Sequence, residues 1–125
     1  MNIARINCTP DWDAPEDWST IRDRVLTYLN SGEMVIQVMA TGEDHHDPHG
    51  PADVPLGFKT DGTWMWSLEI AYYLDTYDQP IDPDFLGYMR RHGFNPPQTD
   101  ANMVNAALAQ LDELGQQYAD KDVYG

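Results

Sequence analysis

The sequence predicts a single α+β domain over 1-125: a small antiparallel sheet, built from one strand and an Asp-Gly hairpin, packed with about four helices. Three observations carry this. Apolar residues recur at helical spacing in four separate stretches, a short β-branched run lies between two glycines, and Asp61-Gly62 separates two β-prone runs. With 125 residues, 42% hydrophobic and 11% aromatic, the chain can bury one ordinary core and is too aromatic for a disordered acidic tail.

The first helix follows Pro15, which suits a first helical turn. Trp18, Ile21, Val25, Tyr28 and Leu29 then repeat at helical spacing until Asn30-Ser31-Gly32 stops the pattern. Met34-Val35-Ile36-Gln37-Val38-Met39 is apolar, β-branched and bounded by Gly32 and Gly42, the signature of a buried strand. Residues 41–55 are rich in Gly, Pro, His and Asp and read as one long acidic, His-rich loop.

The segment Leu56–Ser67 carries the hairpin. A type I′ turn at Asp61-Gly62 would pair Thr60 with Thr63, Lys59 with Trp64, Phe58 with Met65 and Gly57 with Trp66. Side chains alternate across a strand, so Phe58, Met65 and Leu56 share one face. Trp64, Trp66 and Lys59 share the other.

Three helices complete the chain. Ser67 caps one that runs through Ile70, Leu74 and Tyr77, with Leu68, Ala71 and Tyr72 alongside. Asp82-Pro83 is a cap followed by a first-turn proline, Phe85, Leu86 and Met89 form the apolar face, and Gly93 ends the helix with Phe94 beyond it. After the stiff Asn95-Pro96-Pro97 break, a helix starts at Thr99 or Asp100. Met103, Ala107, Leu111, Leu114 and Tyr118 mark its inner face, and 119-125 form a frayed tail.

Charge bounds the function. Twenty-one acids against 7 Lys and Arg give a formal net charge of -14, which argues against direct nucleic-acid binding and against anionic membranes, and favours a basic protein partner. Solvation of an acidic surface gives the same composition. No stretch has the roughly 18 apolar residues of a membrane span. Cys8 is the only cysteine, so no disulfide forms within the chain, and MNIARINCTPDW lacks the apolar run of a signal peptide; a cytoplasmic protein is expected.

Two sets of residues stand out as candidate sites. Trp64 and Trp66 form an aromatic face that either receives another element as core or anchors a partner; Asp44, Asp47, Asp78 and Asp82 are candidate contact acids. His45, His46 and His49 lie within five positions in the long loop and could converge on a divalent metal. A solvated polar loop explains the same histidines, and no HExxH or second ligand cluster accompanies them. No catalytic residue is assigned, because GxSxG, P-loop and GxGxxG patterns are missing.

The stretch Thr60-Asp61-Gly62-Thr63-Trp64-Met65-Trp66, with Leu68, Ala71-Tyr72-Tyr73-Leu74 and Phe85-Leu86-Gly87-Tyr88-Met89, resembles small acidic bacterial proteins, some of which accompany toxin genes as immunity proteins. The resemblance covers roughly the middle third of the chain and transfers no catalytic residue. It implies an immunity-type, toxin-neutralising binder, which agrees with the acidic inhibitor of a basic toxin or nucleic-acid-acting protein that the charge suggests; a monomer or homodimer without a cofactor is expected. The alternatives are a small metal-dependent hydrolase using the histidine loop and a structural oligomerisation module.

Overall fold

The computed structural model describes residues 1–5, 15–44, 47, 49–79 and 81–124, leaving aside the side chains of 39, 40 and 114–124. The elements are β1 (Asn2–Ile3), α1 (Trp18–Ser31), β2 (Glu33–Gly42), β3 (Val54–Thr60), β4 (Trp64–Ser67), α2 (Leu68–Tyr77), α3 (Pro83–Arg91) and α4 (Ala101–Tyr124). The sheet order is β1-β4-β3-β2. β2, β3 and β4 form the expected antiparallel sheet; β1 adds a parallel edge that nothing in the local sequence announces. Its two residues are too few to show alternation, and it is held by bonds from Asn2 N–H to Thr63 O (3.0 Å) and Ala4 N–H to Met65 O (2.9 Å).

The sheet has two covered faces. On one, Trp64 and Trp66 meet α1, α2 and α3 in the main core, with Phe85 at its centre: Phe85 stacks on Trp64 at 5.0 Å between ring centroids and lies 5.1 Å from Trp66. On the other, Val35 and Met65 pack against Ala107 of α4, beside Phe58, Leu108 and Leu111. The helices bury the faces their periodicity requires. Trp18, Ile21, Val25, Tyr28 and Leu29 are the buried residues of α1, and Phe85, Leu86 and Met89 those of α3. In α2 it is Tyr73 that lies inside with Ile70 and Leu74, whereas Tyr77 at the last turn faces out.

Both expected caps form. Ser67 Oγ accepts from the Glu69 N–H at 3.1 Å, and Asp82 accepts from the Asp84 N–H at 3.0 Å with Pro83 behind it in the first turn. Beyond α3, Gly93 takes φ +62 and the Phe94 N–H returns to Met89 O at 2.8 Å. α4 begins on Asp100, whose Oδ1 accepts the Met103 N–H. It is helical to Tyr124, and the side chains on which the expected fraying falls lie outside those described.

The hairpin corrects the expected register. Thr60 pairs with Met65, Lys59 with Trp66 and Phe58 with Ser67, so the central turn residues are Gly62 and Thr63 rather than Asp61 and Gly62. Gly62 takes φ +95, while Asp61 stays at negative φ and uses its side chain instead. Its Oδ1 accepts the N–H of Thr63 at 2.9 Å and of Trp64 at 2.7 Å, and its Oδ2 accepts the Tyr28 hydroxyl from α1. Moving a turn by one residue moves each partner by two. The faces are therefore preserved, and Lys59 and both indoles share one side as expected.

A second correction concerns β2, which is the sheet edge and not a buried strand. Val35 alone among its described apolar side chains is buried; Met34, Ile36 and Val38 are exposed. Pairing with β3 is irregular between Met34 and Ile36 and between Gln37 and Thr41, and such bulges reorient successive side chains at an edge. The loop it opens is the connection 43–53 of the β2–β3 hairpin, shorter at both ends than 41–55 because Thr41 pairs with Pro55 and Gly42 with Val54.

One close approach fixes how α1 meets the sheet. A Cβ on Gly32 would stand 2.5 Å from Cζ2 of Trp66, whose indole N–H donates to Leu29 O at 3.1 Å. Gly32→Ala is expected to destabilise the fold by about 1–3 kcal/mol through overpacking, and Asp61→Ala by about 3 kcal/mol through the buried donors it leaves unpaired. Urea unfolding of the two variants measures both; a Gly32→Ala cost indistinguishable from zero would show that the indole has room to move.

Candidate functional site

The Trp pair is interior. Trp66 is fully buried and Trp64 is 8% exposed, so helices α1 to α3 cover the aromatic face and both indoles serve the core. Lys59, on the same face, sends its ammonium to Asn30 O at 2.7 Å and lines a pocket of ≈ 420 Å³ with Leu26, Leu29, Trp66, Tyr72 and Asp75.

The four candidate acids part company. Asp82 is 2% exposed: Arg5 donates from its backbone N–H and Nε to Oδ2 at 3.0 and 3.1 Å, and from its terminal nitrogen to Oδ1 at 3.0 Å. Asp78 caps α2 in the left-handed conformation at φ 54 and accepts from Trp18 Nε1 at 3.2 Å and Arg22 Nε at 2.9 Å. Both acids are engaged by side chains of the same chain, Asp82 buried and Asp78 at the surface. Asp47 is exposed in the 43–53 loop.

Asp44 is the surprise. It is only 4% exposed, and its Oδ2 accepts two tyrosine hydroxyls from α2, Tyr72 at 2.7 Å and Tyr77 at 2.6 Å. These bonds, first among the causes, with desolvation and the Asp44 charge behind them, push both phenols up to about 12. The charges of Asp53 on Tyr72 and of Asp47 on Tyr77 act in the same direction. The root of the loop is thus tied to α2. Sequence reasoning placed Asp44 at the surface because it sits in a polar run, and the signal it lacked was the pair of tyrosines five apart on one helix.

Three of the cations are held in ion pairs. Arg5 pairs with Asp82 and Asp84, Arg22 with Asp78 and Asp23, and Arg90 with Asp17 at 2.8 Å. By contrast Glu43, Asp47, Asp53 and Asp75 are exposed and have no ion pair among the described residues. An acidic surface around the 43–53 loop and α2 results.

Of the histidine trio, His49 is exposed, while His45 and His46 lie outside the described residues, as does Cys8. Among the described residues no group of three His, Cys, Asp or Glu side chains could hold a metal ion, and no helix is long and apolar enough to cross a membrane. The comparisons add no relative: no family model matches the chain, and neither curated proteins nor solved structures include a significant match.

Two outcomes test this geometry. In Asp44→Asn the acceptor charge is gone, so the high-pH limb of an ultraviolet phenol titration should move down for two tyrosines; an unchanged limb would mean the clasp does not hold in solution. For Asp82, burial raises the carboxyl, but the Arg5 and Asp84 hydrogen bonds with the Arg5 charge outweigh it and hold it below its ordinary 3.8. Its stabilisation is complete above that value, where folded and unfolded chains are both ionised. It is lost as pH falls through the folded value, because the unfolded chain takes up the proton first. Asp82→Asn should therefore cost about 1–3 kcal/mol near neutrality and flatten acid unfolding below pH 3.8, read by denaturant midpoints across the acid range.

Proposed function

We propose that this chain is an acidic protein-binding inhibitor of the bacterial immunity type, acting in the cytoplasm on a basic partner such as a toxin or a nucleic-acid-acting protein. One observation carries the reading: a net charge of -14 in which several arginines are consumed by internal ion pairs, leaving Glu43, Asp47, Asp53 and Asp75 uncompensated at the surface. Such a surface steers a cationic partner and presents carboxylates where that partner's own ligand would present phosphate. The Asp44 clasp adds preorganisation, since a loop already tied to a helix loses less freedom on binding. Asp47 and Asp53 take the contact role. Asp78 and Asp82, occupied by arginines, and Trp64 and Trp66, occupied by the core, do not.

Tag-free protein incubated with lysate of its native cell at low salt should retain one basic protein near one-to-one stoichiometry, released by a salt gradient and identified by mass spectrometry. Asp47→Asn with Asp53→Asn should weaken that complex about tenfold, mainly through slower association. Retention that ignores salt, or recovery of basic proteins merely in proportion to abundance, would overturn the reading.

A further inference from the structure

The acidic loop explains attraction but offers few apolar contacts, and the structure has an apolar surface elsewhere. Ile36 and Val38 on the edge strand β2 are 44% and 45% exposed. With Leu56 and Phe58 of β3 and Leu108 and Leu111 of α4 they line a groove of ≈ 420 Å³ on the α4 side of the sheet. Glu69 and Asp112 line it too, and neither has an ion pair among the described residues. The irregular β2 pairing interrupts a regular edge ladder, so side chains rather than added strand hydrogen bonds provide the recognition here.

We propose that this groove docks a cationic amphipathic segment of the protein partner, its apolar side chains on Ile36 and Val38 and its Lys or Arg side chains against Glu69 and Asp112. The inference rests on the basic-partner reading and adds to it the place where apolar contact is made. Charge selects the occupant: a second copy would bring another -14 to the same surface, whereas a cationic segment is attracted by both the groove carboxylates and the whole chain. The combination is that of an amphipathic segment laid into a hydrophobic groove, with charge setting orientation and apolar anchors setting residence.

Three synthetic peptides of equal length test it: one combining Lys with Leu on separate faces, oligolysine, and the first peptide with Glu in place of Lys. At moderate salt the Lys-Leu peptide should bind about tenfold or more tighter than oligolysine, the worth of burying one or two apolar side chains. Ile36→Ser with Val38→Ser, substitutions at exposed positions that leave charge unchanged, should erase that preference and leave oligolysine binding as it was. Circular dichroism and the melting temperature confirm that the fold is kept, and Glu69→Gln with Asp112→Asn provides a second variant that should weaken the Lys-Leu peptide specifically. Equal binding of Lys-Leu peptide and oligolysine would overturn the groove while leaving the charge reading intact; no binding of either would overturn both. Tight binding of the Glu-Leu peptide would overturn the cationic occupant. A dimer in sedimentation that the double serine variant dissociates would assign the groove to a second copy instead.

Discussion

A single buried carboxylate organises this fold. Asp61 is 1% exposed, yet it satisfies two backbone N–H groups of its own turn and the hydroxyl of Tyr28 on α1. Three donors converge on this buried group, as a polar side chain away from water requires, and burial first, then the hydrogen bond to Asp61 and its charge, push the Tyr28 phenol up. The consequence is geometric. The side chain closes the turn around Gly62-Thr63, the turn sets which residue of β4 faces which of β3, and that register places Trp64 and Trp66 against Phe85. The helix that supplies the hydroxyl is also the one whose end, at Gly32, leaves space for the Trp66 ring.

What was legible in the sequence follows the same logic. Helix α3 is readable because its apolar spacing, cap and stop agree with one another, and α1 because its spacing and stop do, although no side chain caps it; agreement among local signals is what a well-specified segment shows. The faces of the hairpin were readable from parity. Its register is not, because Asp-Gly supports a two-residue turn with Asp inside it or just before it, and the observed one uses the Asp61 side chain for two N–H groups of the turn and for the remote Tyr28 hydroxyl, which the local sequence does not reveal. The β2 edge was misread for a related reason: an apolar β-branched run looks the same whether two neighbours cover it or one does. Trp64 and Trp66 were correctly placed on one face, but what covers that face depends on helices far along the chain.

The acids divide by the same contrast between local and remote information. Composition alone reveals the surplus of negative charge, and it cannot say which carboxylates are already used. Asp82, Asp78 and Asp17 are paired with arginines from distant segments, while Asp44 is held by two neutral phenols that leave its charge in place, so which carboxylates are paired is something that sequence does not single out. Pairing of this kind also spares the fold some of the self-repulsion that so acidic a chain would otherwise carry.

The link between Arg5 and Asp82 reaches across 77 positions, whereas the β3–β4 turn closes between residues four apart. Loop-closure entropy grows with separation, so the contact that ties the N-terminus down costs the chain more order than the turn does. Asp82 offsets it with two uses of one side chain: it caps the start of α3 and holds Arg5 beside the β1 edge, so the first residues of the chain and the third helix share a single anchor.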